Sequence, residues 1–337
     1  MTLQALPRNQ IPVIALIKYP PRITHTEPSH ALSTYRFATL LTIPLTLSLL
    51  TFWTLTQGDI PSVQSWEILP NAYLILLTLA FALPLRFLPR SGRRRTLGIL
   101  KRVSIGGIAT TENGKFGDIL MADVLTSYAK PISDLSIAVY GALVPGHHST
   151  GKPERTVFAI SMLALPFAIR LRQCLIEYWR AQKAGENGGN HLANAAKYGS
   201  AFPPIVLGVW QHSSWYDPAV IGLSDAGVHT VWLFFTLLNS SYSLYWDVYK
   251  DWDLQPLSLR SRLFFKPSIY YAAVLVDAVL RFTWGYQLVY DSETNLFVIE
   301  LLEILRRWMW AFLRIETEWV RNESNSVYRE IPLQEVP

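Results

Sequence analysis

Eight apolar runs recur along the chain, at about 34–55, 67–88, 117–143, 156–176, 193–211, 229–249, 268–289 and 295–314. Each is near the length of about 20 residues that crosses a bilayer as a helix. This pattern fixes the fold class more than any other feature. A chain built this way is expected to be all-α and polytopic, because each backbone polar group inside the bilayer must be satisfied within its own helix. Half of the residues are hydrophobic and only 16% are charged, which agrees. The first two runs are the cleanest, and the later six carry charges. The N-terminal stretch MTLQALPRNQIPVIALIKYPPR has an apolar run too short and too interrupted by proline for a signal peptide, so the first span is expected to direct insertion. Cys174 is the only cysteine, and no intrachain disulfide can form.

Basic residues alternate between loops. LPRSGRRRTLGILKRV carries Arg90, Arg93, Arg94, Arg95, Lys101 and Arg102. The fourth connection carries Arg180 and Lys183, and the sixth Lys250, Arg260, Arg262 and Lys266. QGDIPSVQSWE, QHSSWYDPAVIGLSDAG and YDSETN carry none, and only VPGHHSTGKPER breaks the alternation. The positive-inside rule then places both termini in the cytosol. The same distribution explains the net charge of +5 without nucleic acid. Residues 1–32 read as a cytosolic segment and 33–103 as two helices with a basic cytosolic loop. Residues 104–325 read as the main transmembrane domain and 326–337 as a cytosolic tail, poorly ordered from about residue 320. The segment AGENGGN reads as a flexible loop and lacks the Gly-Lys-Ser/Thr ending of a phosphate-cradling loop. The sequons at Asn239 and Asn322 fall in a span and in the tail, and read as chance matches.

An Arg or Asp at the centre of a membrane helix costs roughly 2.5–3.5 kcal/mol, yet the later runs hold many. Asp277, Arg281, Trp284 and Leu288 follow helical spacing and predict one shared face, with Asp277 and Arg281 as partners. Glu303 precedes Arg306 and Arg307 by three and four and can partner either. Those adjacent arginines leave a helix about 100° apart, so one is expected to face a ligand and the other Glu303. Asp247 and Asp251 share a face, span three carries Asp118 and Asp123, and Lys197 and Tyr198 open span five. Ion pairs that lock helices together are one reading of this set. Four bases on three helices exceed that need, and Arg, Lys, Tyr and Trp together form the donor set of an oxyanion site. His147 and His148, His191 and His212, Cys174, and Ser213 and Ser214 lack metal-ligand or nucleophile spacing, so neither an enzyme nor a cofactor is expected. Most of the Trp residues read as interfacial belt.

The stretches FGDILMADVLTS, LPFAIRLRQCLIEYWR, HLANAAKYGSAF, SYSLYWDVYKDWDL, VDAVLRFTWGYQL and LEILRRWMWAFLRIETE resemble, in that order, the EXS-domain family. That family includes the phosphate exporters also known as xenotropic and polytropic retrovirus receptors, and the yeast ER-retention-defective proteins. The likeness runs from about residue 104 to 325. It implies an EXS-type helical bundle with inorganic phosphate held midway. Asp123, Lys197, Tyr198, Asp247, Asp251, Arg281, Trp284, Glu303, Arg306 and Arg307 then occupy pathway positions, and Asp277 joins them as the helix neighbour of Arg281. Thr126 stands where the exporters usually carry Asn, and its hydroxyl can still bond phosphate. The exporters' SPX domain finds no room in 337 residues, which points to the ER-retention-defective branch. That branch implies a multi-pass Golgi membrane protein, phosphate recovery after glycosylation, and glycosyltransferases or their sorting adaptor as candidate partners. A homodimer in membrane lipid fits the family. The rival expectation is a membrane receptor that retains glycosyltransferases through its cytosolic loops, with the buried charges only structural.

Overall fold

The computed structural model describes residues 11, 13–18, 30–57, 65–66, 68–83, 90–110, 113–143, 153–255, 263–288 and 293–330. These are helical apart from turns, with no β-sheet among the described residues. A short α1 (Val13–Leu16) precedes α2 (His30–Thr56), α3 (Ile68–Ala82) and α4 (Arg90–Ser104). Next come α5 (Lys115–Ser127), α6 (Ala129–Leu143), α7 (Pro153–Lys183), α8 (Gly189–Gly199) and α9 (Phe202–Gln211). After a 3₁₀ turn at Pro218–Ile221, α10 (Asp225–Trp246) runs into a π-helical segment at Asp247–Asp251. The chain ends with α11 (Pro267–Arg281), α12 (Trp284–Gln287) and the long α13 (Glu293–Glu330).

Two stretches among the described residues are long and apolar enough to cross a membrane by length and composition. They are Ala38–Thr56 in α2 and Thr156–Lys183 in α7. Apart from Thr56 at its end, the described residues of the α2 stretch are not buried inside the protein: Leu47 is 59% and Trp53 68% exposed. An apolar surface of that kind needs lipid or another protein against it. Three of the other predicted runs are interrupted by the chain itself. The run at 117–143 is two helices parted at Tyr128. Pro131 has no N–H to give the Ser127 carbonyl, so the helical ladder cannot pass that point. Likewise Pro203 and Pro204 sit in the first turn of α9 and part it from α8. The run at 268–289 breaks at Phe282–Thr283, so Trp284 starts a new helix and the single face predicted for Asp277, Arg281, Trp284 and Leu288 does not exist as one face.

Two further expectations change. The basic loop is helical over Arg90–Ser104; its Arg- and Lys-rich stripe against Leu97, Ile99, Leu100 and Val103 is the pattern of an amphipathic helix. Arg102 pairs with Asp118, and the Arg172 guanidinium donates to the Ser104, Ile105 and Gly106 carbonyls, which caps the C-terminus of α4. The tail after residue 320 continues α13 to Glu330. The His147–His148 pair, Arg260 and Arg262, and the 331–337 end lie outside the described residues, as do the side chains of Arg90 and Arg93–Arg95.

α8 packs along α7, and α13 against α5, α11 and the π segment. The main apolar core joins Trp252 and Leu254 beyond the π segment to Tyr270 and Ala273 of α11 and Trp310 and Leu313 of α13. Tyr270 donates its hydroxyl to Glu316 at 2.6 Å, and the Thr317 hydroxyl donates to the Trp252 carbonyl. The N-terminal segment contributes too: Ile11 and Val13 pack against Phe116 and Ile315. At the α7–α8 turn Gly185 takes a left-handed φ of 73°, and a side chain on Gly188 would meet the Tyr178 ring at 2.7 Å.

Candidate functional site

Four irregularities in the helices converge on one place. Thr126 and Ser127 end α5, Lys197 and Tyr198 lie in the last turn of α8, and Arg281 ends α11. Asp247 begins the π segment, where the Trp252 N–H reaches back to the Asp247 carbonyl. Interrupted helices free backbone groups from the ladder, and in membrane bundles such breaks occur where they line a cavity; π segments likewise gather at functional sites. Here they border a cavity of about 310 Å³. That is room for an oxyanion with several waters, at about 30 Å³ each.

Of the residues singled out in the sequence, Thr126, Lys197, Tyr198, Arg281, Glu303, Arg306 and Arg307 line this cavity. Asp123, Asp247, Asp251 and Asp277 stand behind them and hold the bases. Asp123 lies 2.7 Å from Arg170 Nε and accepts the Tyr198 hydroxyl at 2.5 Å. Asp247, fully buried, serves three cations at once: Arg281 at close contact, Arg306 at 3.4 Å and Lys197 at 3.7 Å. Lys197 also faces Asp251 at 3.9 Å and lies over the Tyr198 and Trp246 rings. Asp251 in turn meets Arg314, which pairs with Glu318. The expected Asp277–Arg281 pair is present but loose, at 3.7 Å. The shorter bonds run elsewhere, from Arg281 to Asp247 and from Arg306 to Asp277 at 2.9 Å. Helical spacing names neighbours on one helix, whereas these pairings are decided between helices.

The adjacent arginines take different surroundings, as their angular separation requires. Arg306 is held by Glu303, Asp277 and Asp247 and is 2% exposed. Arg307 has hydroxyl partners instead: its Nε donates to Ser127 at 2.8 Å, its Nη2 reaches Thr126 at 3.4 Å, and its guanidinium lies over the Trp310 ring. Trp284 lies outside the cavity lining. Its indole N–H donates to Ser240 at 3.1 Å and its ring meets Trp232 edge-on.

Sequence reasoning missed several members. Ser127, Asn239, Ser240 and Ser243 also line the cavity. The spacing 240–243–247 puts both serines on the Asp247 face, a signal readable in the sequence, whereas Asn239 reads there only as a chance sequon. Arg170, buried in α7, was left out of the predicted inventory of bases. Its face-mate Gln173 accepts from it at 2.7 Å.

The EXS family matches residues 1–320 of the chain. Protein ERD1 homolog 1 of Schizosaccharomyces pombe is 33% identical over 226 residues, covering 60% of this chain and 57% of that protein. Protein ERD1 of Saccharomyces cerevisiae is 34% identical over 216 residues, covering 60% and 55%. Solute carrier family 53 member 1 of Homo sapiens is 28% identical over 237 residues, covering 61% of this chain and 33% of the human protein. The chain thus spans a little over half the length of these yeast relatives and a third of the human one. With a family match across nearly all its length, and with the matching stretches folded around a single charged cavity, this chain is a membrane protein that belongs to the EXS family.

Proposed function

We propose that the protein moves inorganic phosphate across an internal membrane, through the cavity lined from α5, α6, α7, α8, α9, α10, α11 and α13. The observation that carries this reading is Arg307. It is the cavity-lining arginine whose described bonds go to hydroxyls rather than to a carboxylate, so an arriving oxyanion can take its bidentate fork without displacing an acid. Lys197 and Arg281 are held by acids that an anion can relieve. Placing the irregular backbone beside the cavity supports a site midway through the bundle. The human relative is named a solute carrier, which agrees with transport.

The wider setting rests on the likeness to the ERD1 proteins. The reading is a Golgi protein of eight spans, some of them broken, with both termini in the cytosol. It recovers the phosphate left in the lumen by glycosylation and so supports the enzymes that carry out glycosylation. No ATP-binding motif accompanies the site in the sequence, and a downhill gradient is sufficient drive. The receptor reading would instead place the function on the cytosolic face, with the basic sequence of α4 as its docking segment.

Purified protein in liposomes preloaded with labelled phosphate decides between them. Saturable efflux above that of empty liposomes is expected. Protein that is folded yet passes no phosphate would leave the receptor reading in possession.

A further inference from the structure

Glu303 is an odd residue to find in an anion site. Most acids around the cavity are withdrawn behind the bases: the Asp123 and Asp277 side chains are 5% and 0% exposed, and that of Asp247 is 1%. Glu303 lines the cavity itself with its side chain 35% exposed. An ionised carboxylate can only accept hydrogen bonds, at about four lone-pair positions. Three are filled: Oε1 accepts from Ser127 at 2.7 Å and from Arg306 Nη2 at 2.5 Å, and Oε2 accepts from Arg306 Nε at 2.9 Å. One acceptor position on Oε2 remains. The same Ser127 hydroxyl that donates to Glu303 accepts from Arg307 Nε at 2.8 Å. A single side chain therefore bridges an acceptor and a donor that share the cavity.

That pair fits an anion that both accepts and donates. Orthophosphate keeps at least one P–OH in its monoanionic and dianionic forms at neutral pH, and arsenate does the same. Sulfate has no proton to give, so its bare oxygen would face the Glu303 carboxylate, lone pair against lone pair. We propose that Glu303 is a specificity-determining residue that accepts the P–OH proton, and that the cavity thereby takes protonated oxyanions and refuses sulfate. The inference rests on the phosphate reading above and adds the chemical class of the substrate. A site built to bond a substrate hydroxyl discriminates far more strongly than a shape-fitting one, by about 10⁴–10⁵-fold when fully enclosed.

The test measures labelled phosphate flux in proteoliposomes of the full chain, with unlabelled arsenate or sulfate as competitor, and thermal-shift binding of the three anions to the purified protein. Arsenate is expected to compete about as well as phosphate, and sulfate at least ~100-fold more weakly, short of the enclosed-site limit because this cavity is open. In Glu303→Gln the amide can donate, and the gap between arsenate and sulfate should close to within about tenfold, in binding if not in flux. Glu303→Asp keeps an acceptor and should still refuse sulfate. Sulfate that competes with the unaltered protein as well as arsenate does would overturn the inference while leaving phosphate transport intact, and so would an unchanged gap in Glu303→Gln. Absence of both phosphate flux and phosphate binding would remove the transport reading and this inference with it.

Discussion

Asp247→Ala is expected to leave little folded protein. The carboxylate sits fully buried among Arg281, Arg306 and Lys197. Its loss strands positive charge where water cannot compensate. Removing one partner of a buried ion pair destabilises by about 3–5 kcal/mol, a large share of a typical folding free energy of about 5–15 kcal/mol. Arg281 would keep only the looser contact to Asp277, and Lys197 only Asp251. The measurement is the monodisperse fraction after detergent extraction, with thermal unfolding of whatever survives. Asp251→Ala should be milder, because Arg314 retains Glu318 and Lys197 retains Asp247. Equal tolerance of both substitutions would show that Asp247 does not organise the bundle.

Arg307→Ala should do the opposite, folding well and transporting poorly. Its described bonds are to Ser127 and Thr126, so no buried carboxylate loses a bonded partner, and Asp247 and Glu303 keep the guanidinium ions that bond them. Truncating a buried charged partner of a ligand costs about 2–5 kcal/mol, which corresponds to a fall in phosphate affinity of roughly 30-fold or more. Arg307→Lys restores charge but neither the fork nor the packing over Trp310, and should fall between. Flux and phosphate affinity are to be measured per folded molecule. An Arg307→Ala protein with wild-type flux would take this residue out of the pathway. The two substitutions together separate charges that build the bundle from a charge that serves the ligand.

Much of this arrangement could be read from the sequence, and the rest could not, for definite reasons. Apolar run lengths located the helices, and the i, i+3 spacing of Glu303 and Arg306 located a real pair. The breaks were written in Pro131, Pro203 and Pro204 but were smoothed over, because a hydropathy window averages across a missing N–H. The α4 segment reads as a loop in sequence because its arginines outweigh its apolar residues. Interhelical choices, such as Arg281 taking Asp247 before Asp277, depend on how α10, α11 and α13 lie against each other. No spacing along one helix encodes that. Arg170 was missed because its partners, Asp123 and Tyr198, are 47 residues before it and 28 after it in the chain.

The sharing of Asp247 among three cations also sets a timetable for synthesis. On the eight-span reading, Asp123 finds Arg170 and Tyr198 as soon as α7 and α8 have been inserted. When α10 follows, Asp247 and Asp251 meet a single base in place, Lys197. α11 adds one acid with one base, Asp277 and Arg281, and leaves that debt standing. Among the described helices only α13 then brings Arg306, Arg307 and Arg314, which exceed their own helix partners Glu303 and Glu318 by one charge and so meet that debt. On that reading the nascent protein waits with a surplus of acid inside the membrane, a state suited to capture by an insertion chaperone. Chains stopped before residue 293 are expected to insert and then to be degraded faster than full-length chains, and pulse-chase labelling measures that difference.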